Sequence, residues 1–165
     1  MKITDIILII VAVITALMAG IFYSFSVAVS PGLSKLTDSE YIKAMQSINR
    51  EIQNPLFFIN FFGVLILLPL LTFQQFSYSK ELPLLLLTSL IFYVVGVFGV
   101  TAFVNVPLNN QLDAFNLSTA SSESINSMRK LFEPRWNFWN NIRTAASVVT
   151  FIVIMCTCLF HTTHY

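Results

Sequence analysis

The chain has 165 residues, of which 56% are hydrophobic and only 10% are charged, and its formal net charge is +1. Soluble domains carry about 25% charged residues, so this chain has too few to cover a surface exposed to water. The small net charge also gives no reason to expect nucleic acid or another strongly charged partner. The composition predicts an integral membrane protein.

Four long stretches contain no Asp, Glu, Lys or Arg: 6–34, 52–79, 82–112 and 144–165. Each is longer than the roughly 20 residues that cross a hydrocarbon core about 30 Å thick. We therefore predict an all-α fold, a four-helix transmembrane bundle in which residues 1–165 form one domain. The predicted spans lie near 5–30, 55–77, 82–106 and 140–161. Pro31 and Gly32 end the first stretch where a cleavage site would be needed, so we expect a retained span rather than a signal peptide.

The first connection, 31–54, has the pattern of a short amphipathic helix. Thr37 and Glu40 have the spacing of a capping box, in which each side chain binds the other residue's backbone N–H. Apolar residues then follow at helical spacing, namely Tyr41, Met45, Ile48 and Ile52. We expect this helix to lie on the membrane surface or over the mouth of the bundle.

The third connection, 107–139, is predicted to contain a second short amphipathic helix, from Ser121 to Glu133. The third span is expected to break at Pro107, and the second connection to be a tight turn near 74–81. Seven of the nine basic residues lie in or beside the first and third connections, against Lys2 and Lys80 on the other side. The positive-inside rule therefore predicts that 31–54 and 107–139 are cytoplasmic.

Polar residues of the spans converge on this same end of the bundle. They are Tyr23, Ser26 and Ser30 in the first span, Asn54 and Asn60 in the second, Tyr93, Thr101 and Asn105 in the third, and Trp136, Asn140 and Arg143 in the fourth. Amides donate and accept hydrogen bonds, a guanidinium donates, and tryptophan and tyrosine offer flat walls. The set suits a flat aromatic ligand with phenol or carbonyl oxygens. The alternative is structural, since such residues also anchor, cap and join membrane helices.

The two histidines lie away from this polar end, because His161 and His164 are at the C-terminal end of the chain. The spans hold no carboxylate that could complete a metal site with them. We therefore predict no metal site.

Four segments of the sequence resemble a known family: GIFYSFSVAVSPGLSKL, AMQSINREIQNPLF, NVPLNNQL and RWNFWNNIRTAAS. Together they resemble the anthrone oxygenase-like family of small membrane proteins, and NVPLNN and WNFWNNIR are the most specific parts. The family takes its name from fungal members that oxidise anthrones to anthraquinones with molecular oxygen and no familiar cofactor. Most bacterial members have no assigned role.

The resemblance implies an oxygenase or oxidase of a lipophilic, anthrone-like polycyclic phenol that needs no cofactor. Arg50 and Arg143 are the candidate catalytic residues, because a guanidinium can stabilise an oxyanion. The candidate substrate-binding residues are Tyr23, Asn54, Asn105, Asn109, Trp136, Trp139 and Asn140. A general base should lie near the reacting carbon. The nearest candidates are Glu51, Asp113 and Glu133, all in connections or at span ends.

Two other functions fit the same sequence. The chain could bind or carry a lipophilic aromatic molecule or a lipid without chemistry, or it could be a small subunit of a larger membrane complex. A homo-oligomer is a further expectation, because Gly96, Gly99 and Ala102 give the third span a small-residue face. We expect a multi-pass protein of the bacterial inner membrane.

Overall fold

The computed structural model describes residues 3–76 and 81–164, apart from the side chains of residues 81 and 161–164. The described helices are α1 (Ile3–Leu33), α2 (Asp38–Glu51), α3 (Pro55–Gln75), α4 (81–113) and α5 (Ser122–His164). Four helical stretches are long and apolar enough to cross a membrane: Ile3–Leu33, Pro55–Gln75, Leu82–Asp113 and Ser122–Phe160. The predicted all-α bundle with four spans is confirmed. Residues 77–80 of the predicted tight turn, together with Lys2, lie outside the described residues.

Helix α4 passes through the predicted break at Pro107, so that prediction is wrong. It consists of α-helix over Glu81–Ile91, π-helix over Phe92–Gly99 and Thr101–Asn105, and α-helix again over Val106–Asp113. A proline removes one backbone hydrogen bond, and its ring presses on the carbonyl four residues earlier. That carbonyl belongs to Phe103, which lies inside the second π segment. The wider π turn therefore accommodates the proline within one continuous helix.

Helix α1 uses the same device before it ends. Pro31 lies in a final α-helical turn, Ser30–Leu33, which follows a π segment over Phe25–Val29. The carbonyl four residues before this proline belongs to Val27, again inside the π segment. Helix α1 ends at Leu33, close to the end of the predicted span at residue 30.

Helix α5 is a single helix of 43 residues. The separate amphipathic helix predicted over 121–133 is therefore wrong, because these residues form the first turns of α5. Pro134 interrupts the backbone hydrogen bonding without ending the helix. The carbonyl that it leaves free belongs to Lys130, and both residues are exposed, so water can solvate that carbonyl.

Helix α2 covers the end of the bundle, and its predicted capping box is present. Thr37 Oγ1 accepts from the backbone N–H of Glu40 (3.4 Å), and Glu40 Oε2 accepts from that of Thr37 (3.0 Å). Gln46 Nε2 donates to the carbonyl of Leu112 (2.8 Å) at the end of α4 and to that of Phe115 (2.9 Å) just beyond it. These bonds hold α2 over the polar end of the spans.

Arg129 of α5 fastens the α1–α2 link to the rest of the bundle. Its Nη1 donates to the carbonyl of Leu36 (2.8 Å) and to Asp38 Oδ1 (2.9 Å), and its Nη2 donates to the carbonyl of Ser34 (2.9 Å). Its Nε donates to Glu133 Oε2 at 2.7 Å. Arg129 therefore has a structural role.

Helices α4 and α5 approach most closely at Gly96. A Cβ built on Gly96 would lie 2.5 Å from the Cβ of Ala146 in α5. Gly96 therefore packs against α5 of the same chain, and the homo-oligomer stays a prediction. Helix α4 also contacts α3, where Tyr93 OH donates to the carbonyl of Phe61 (2.8 Å).

Candidate functional site

A cavity of about 470 Å³ lies where α1, α3, α4 and α5 meet beneath α2. Its volume is within the range of about 300–1,000 Å³ that is typical of small-molecule sites. The side chains that line it are Ile21, Phe22, Phe25, Ile48, Asn49, Ile52, Gln53, Phe57, Phe58, Phe61, Phe62, Phe98, Thr101, Ala102, Asn105, Val106, Asn109, Asn110, Trp136 and Arg143. The cavity thus combines many aromatic rings with a few amides and one cation.

Phenylalanines of α3 and α4 form one flat wall of the cavity. The rings of Phe57 and Phe61 stack with centroids 5.6 Å apart, and those of Phe61 and Phe98 stack at 5.7 Å. Offset aromatic pairs at such distances are favourable beyond the apolar area they bury. The wall presents ring faces and edges to a ligand, and such surfaces suit a planar apolar molecule.

Arg143 provides the positive charge of the cavity. It is 7% exposed, and its guanidinium lies over the rings of Phe22 (4.4 Å to the centroid) and Trp136 (5.2 Å). Its Nε donates to Asn140 Oδ1 (3.0 Å), and its Nη1 makes a long contact with Thr101 Oγ1 (3.5 Å). Within residues 3–76 and 81–164, Nη2 makes no hydrogen bond. A buried guanidinium with spare donors is suited to bind an anionic or carbonyl oxygen.

Asn140 lies behind Arg143 and fixes its position. Its Nδ2 donates to the carbonyl of Phe22 (3.2 Å) and to Ser26 Oγ (2.9 Å) of α1, which leaves Oδ1 directed to the arginine. The amide therefore connects α1 to the guanidinium. Asn140 is a positioning residue for Arg143, because it does not line the cavity.

Trp136 closes the cavity on the α5 side. Its Nε1 donates to Asn109 Oδ1 (2.7 Å), and its ring lies 5.3 Å from that of Phe25. The hydrogen bond pairs the indole N–H of Trp136, which is only 2% exposed, and fixes the ring against α4. Trp136 and Asn109 therefore act as one rigid unit of the wall.

Two buried amides of the lining have an atom without a hydrogen-bond partner in the described part of the chain. Asn105 is fully buried, and its Oδ1 has no donor, whereas its Nδ2 makes only a 3.5 Å contact with the carbonyl of Trp136. Asn49 of α2 is 5% exposed, and its Nδ2 has no acceptor. Both atoms are almost completely inaccessible to solvent. Leaving a buried polar group unpaired costs about 1–3 kcal/mol, so the two amides lower the stability of this end of the bundle.

The rim of the cavity has an apolar part and a polar part. Phe58, Phe62 and Val106 are lining residues that are also exposed on the outer surface of α3 and α4. Gln53 and Asn110, which also line the cavity, are exposed at the end covered by α2. A lipophilic molecule can therefore reach the cavity from the side of the bundle, while its polar groups face the amides.

The family model described as anthrone oxygenase matches residues 49–153. This chain belongs to the anthrone oxygenase family. The matched region covers well over half of the sequence and holds every polar side chain that lines the cavity. No curated protein and no solved structure matches the chain.

The structure brings four of the predicted site residues of this family member into the lining: Asn105, Asn109, Trp136 and Arg143. Asn140 supports them from behind. These residues share one end of α4 and α5, where the polar positions were predicted to converge. The confirmed family resemblance and the observed cavity thus point to the same part of the chain.

The other predicted site residues lie outside the cavity. Tyr23 is 54% exposed on the outer face of α1, because the adjacent Phe22 occupies the buried face and packs against Arg143. Arg50 forms a surface ion pair with Asp113 at 2.6 Å. Asn54 caps α3 by accepting from the backbone N–H of Phe57 (3.0 Å). Trp139 is half-buried, and its ring meets that of Phe138 edge-on at 5.4 Å.

Sequence reasoning missed Asn49 and the phenylalanine wall. Asn49 lies four residues after Met45 and eight after Tyr41, so it interrupts the buried face of an amphipathic helix with an amide. This buried amide in an otherwise apolar face could have been predicted to be a site residue. The phenylalanines of α3 gave none, because apolar residues occupy nearly all of that span and its periodicity does not separate the cavity side from the lipid side.

None of the three candidate bases lines the cavity. Asp113 is paired with Arg50, Glu133 is paired with Arg129, and Glu51 is exposed on α2. Among the described lining residues there is no carboxylate, histidine or cysteine. The cavity can bind, orient and stabilise negative charge, but its described side chains supply no ordinary general base.

Proposed function

We propose that this protein is a membrane oxygenase that binds a lipophilic polycyclic phenol of the anthrone type in the cavity beneath α2. Membership of the anthrone oxygenase family supports this reaction class. The stacked phenylalanines and the buried guanidinium support a flat ligand with an oxygen substituent. We further propose that the reaction needs no cofactor. For a metal ion, this is supported by the described lining, which lacks the carboxylate, imidazole and thiolate groups that usually hold one.

The observation that carries the proposal is the position of Arg143 between Phe22 and Trp136, with Nη2 unengaged in the described part of the chain. An anthrone becomes reactive towards oxygen when a proton leaves its saturated ring carbon and the negative charge moves to the carbonyl oxygen. A hydrogen bond from a charged donor is worth about 1.5–3 kcal/mol, and a pKa unit corresponds to about 1.4 kcal/mol. Arg143 would therefore lower the pKa of the bound substrate by about one to two units.

Such a shift reduces the need for a strong base in the cavity. We propose that water or hydroxide entering past Gln53 and Asn110 takes the proton, since both side chains line the exposed polar rim. Arg143 then holds the enolate oxygen while the rest of the ring lies against the phenylalanine wall. The residues of the chain act by binding and by charge stabilisation.

The overall reaction balances with molecular oxygen as the only oxidant. The enolate gives one electron to dioxygen, the two radicals combine at the ring carbon, and a proton completes a hydroperoxide. The second proton then leaves the same carbon as the O–O bond breaks. One oxygen atom remains as the new carbonyl, and the other leaves as hydroxide and becomes water. Anthrone and dioxygen thus yield anthraquinone and water.

The test is oxidation of anthrone by the purified protein in lipid nanodiscs, followed as anthraquinone absorbance above the rate without protein. Arg143→Gln should lower the rate by about 10- to 100-fold, which corresponds to the one to two pKa units that Arg143 contributes. Arg135→Gln is the matched control, because Arg135 is exposed and lies on the same helix. With labelled dioxygen, one labelled atom should appear in the quinone. Equal rates for wild type and Arg143→Gln would reject the role of Arg143.

A second candidate function is favoured by the absence of a carboxylate or histidine from the described lining. A binder or carrier of the same aromatic molecules needs the cavity and no base. Saturable binding of anthrone with no oxygen uptake above the spontaneous rate would select this function over the oxygenase.

We also propose that the protein lies in a bacterial inner membrane with α2 on the cytoplasmic side, as the positive-inside rule predicts. Ser39 is exposed at the start of α2. Ser39→Cys, in a protein with Cys156 and Cys158 replaced by alanine, should react with a membrane-impermeant maleimide only after the cells are opened. Labelling of intact cells would reverse the orientation.

A further inference from the structure

We infer that the cavity beneath α2 also binds a long-chain fatty acid from the bilayer, with the carboxylate at Nη2 of Arg143 and the chain leaving between α3 and α4. The inference goes beyond the proposed function, because a fatty acid is neither aromatic nor a substrate of that reaction. It assigns a second class of ligand to the cavity and makes that ligand a competitor of the aromatic one.

The first observation is a buried positive charge without a counter-charge. Arg143 is 7% exposed, and within the described residues no carboxylate forms an ion pair with it. The nearest acidic residue before it in α5 is Glu133, which is ten residues and therefore about 15 Å away along the helix, and which pairs with Arg129. The charge-free stretches of the other three spans hold no acidic residue. An anion from outside the chain can therefore compensate this charge.

The aromatic rings beside Arg143 compensate only part of the cost of its burial. Its guanidinium lies 4.4 Å from the ring centroid of Phe22 and 5.2 Å from that of Trp136. Such contacts are attractive, but they are weaker than the penalty of burying an unpaired ion. A carboxylate would pair two opposite charges in a cavity of low polarity, where their attraction is stronger than in water. A neutral ligand gains a weaker hydrogen bond there and no charge pair.

The second observation is that the spare donor of Arg143 is accessible. Arg143 lines the cavity, and its Nε and Nη1 are engaged by Asn140 and Thr101. Its Nη2 makes no hydrogen bond with the described residues, and it is not sealed from the cavity as the unpaired atoms of Asn49 and Asn105 are. A ligand inside the cavity can therefore reach the guanidinium directly.

The third observation is the apolar rim through which an anion can arrive. Phe58, Phe62 and Val106 line the cavity, and each is 40–43% exposed on the outer surface of α3 or α4. Both helices are membrane spans, so this rim faces lipid chains. A fatty acid can pass an apolar rim as the neutral acid and ionise beside Arg143, whereas a phosphodiester lipid stays charged. A fatty acid therefore suits both the rim and the guanidinium.

The test compares two ligands that have the same chain. Oleate and oleyl alcohol differ in charge but share their chain length and double bond. Each is radiolabelled and equilibrated with the purified full-length protein in detergent, well above the pKa of the carboxyl group, and uptake by empty micelles is subtracted. Wild type should bind oleate about 10- to 150-fold more tightly than the alcohol, the range for one hydrogen bond to a charged group.

Three variants locate the preference for oleate. Arg143→Gln should abolish it, whereas Arg143→Lys keeps the positive charge and should retain part of it, which separates charge from packing. Arg135→Gln removes the same charge from an exposed position of α5 and should behave as wild type.

Crosslinking tests the path of the chain without any variant. An oleate analogue with a diazirine in its chain should crosslink to α3 and α4 of the wild type, at the rim formed by Phe58, Phe62 and Val106. Crosslinks confined to the outer faces of α1 or α5 would overturn the inference.

Competition tests whether the two ligands share the cavity. Oleate should raise the KM for anthrone and leave kcat unchanged, because both ligands need Nη2 of Arg143. Oxidation unaffected by saturating oleate would overturn the inference and leave the proposed oxygenase intact. If the protein oxidises no anthrone, the proposed function fails, and the binding comparison still decides the inference because it needs no turnover.

Three binding results would also overturn the inference. Equal affinity of the wild type for oleate and oleyl alcohol would show that Arg143 recognises no anion. A preference that persists in Arg143→Gln would place the anion elsewhere. Acetate binding as tight as that of oleate would show that the chain contributes nothing and that the anion comes from water. None of these results affects the proposed function, which is measured without fatty acid.

Discussion

Replacing Gly96 with alanine should disturb the site through the spacing of α4 and α5. The new Cβ would lie 2.5 Å from the Cβ of Ala146, whereas ordinary contacts of this kind begin at 3.4 Å. The shortfall is about 0.9 Å, the difference between these two distances. Neither atom can rotate away, because both are fixed to helical backbone. The two helices must therefore separate.

The loss in free energy of unfolding can be estimated from this overlap. Adding a methyl group to a packed interface costs about 1–3 kcal/mol. The separation also reaches the site, because Thr101 lies five residues beyond Gly96 and Arg143 lies three residues before Ala146. Their contact is already 3.5 Å long, so a shift of this size places it beyond hydrogen-bonding distance. The protein should be less stable, and Arg143 should lose its contact with Thr101.

Thermal unfolding in detergent and anthrone oxidation in nanodiscs are the two measurements. Gly96→Ala should lower both, and adding Ala146→Gly should restore most of each loss by returning the space. Gly20→Ala is the control, because a Cβ at Gly20 would meet nothing within 4 Å. If Gly96→Ala melts like wild type, or if the double variant is worse than the single one, the close approach does not hold the two helices in register.

Three further changes test the rest of the fold. Thr37→Val removes one half of the capping box and should weaken α2 by about 0.5–2 kcal/mol, seen as faster hydrogen exchange in α2 and unchanged exchange in α3. Tyr93→Phe removes the bond to the carbonyl of Phe61 and should cost about 0.6–2 kcal/mol in unfolding; no loss would show that this carbonyl is satisfied without the phenol. A hydrogen bond from Asn126 lowers the pKa of Asp38 below its usual range. Because the folded pKa is the lower one, Asp38 contributes stability that is complete above its unfolded pKa and is lost as pH falls through the folded pKa. Wild type should therefore lose its advantage over Asp38→Asn below about pH 4 in unfolding measurements, and an advantage that persists in stronger acid would contradict this account.

The architecture was predictable because lipid constrains sequence strongly. Runs without charge longer than a bilayer crossing have few alternative structures, and all four predicted spans are present. The capping box of α2 was equally readable, because Thr37 and Glu40 form a local pattern whose hydrogen bonds need no tertiary information. The continuity of α4 and α5 could not be predicted from the sequence. Pro107 and Pro134 both lie in continuous helix, because a π turn accommodates one and water can solvate the carbonyl freed by the other.

The site was predictable only where polarity is rare. Asn105, Asn140 and Arg143 stood out because each is costly in a span, and the structure brings them together. Arg50 and Asn54 did not join them, because polar residues in connections have solvent, caps and ion pairs as alternatives. The phenylalanine wall could not be separated from lipid-facing phenylalanine, since both environments favour the same side chain.

Pro31 in α1 and Pro107 in α4 each follow a π segment, and each of these segments contains a residue that contacts the site. Ser26 lies in the segment before Pro31 and accepts from Asn140 Nδ2, and Thr101 begins the segment before Pro107 and faces Arg143 Nη1. A π turn inserts one residue and so rotates the side chains that follow it relative to an α-helix. A plain α-helix would therefore send α1 and α4 past α5 with different faces inward. The π segments that accommodate Pro31 and Pro107 therefore also hold the two hydroxyls that contact the Asn140–Arg143 pair.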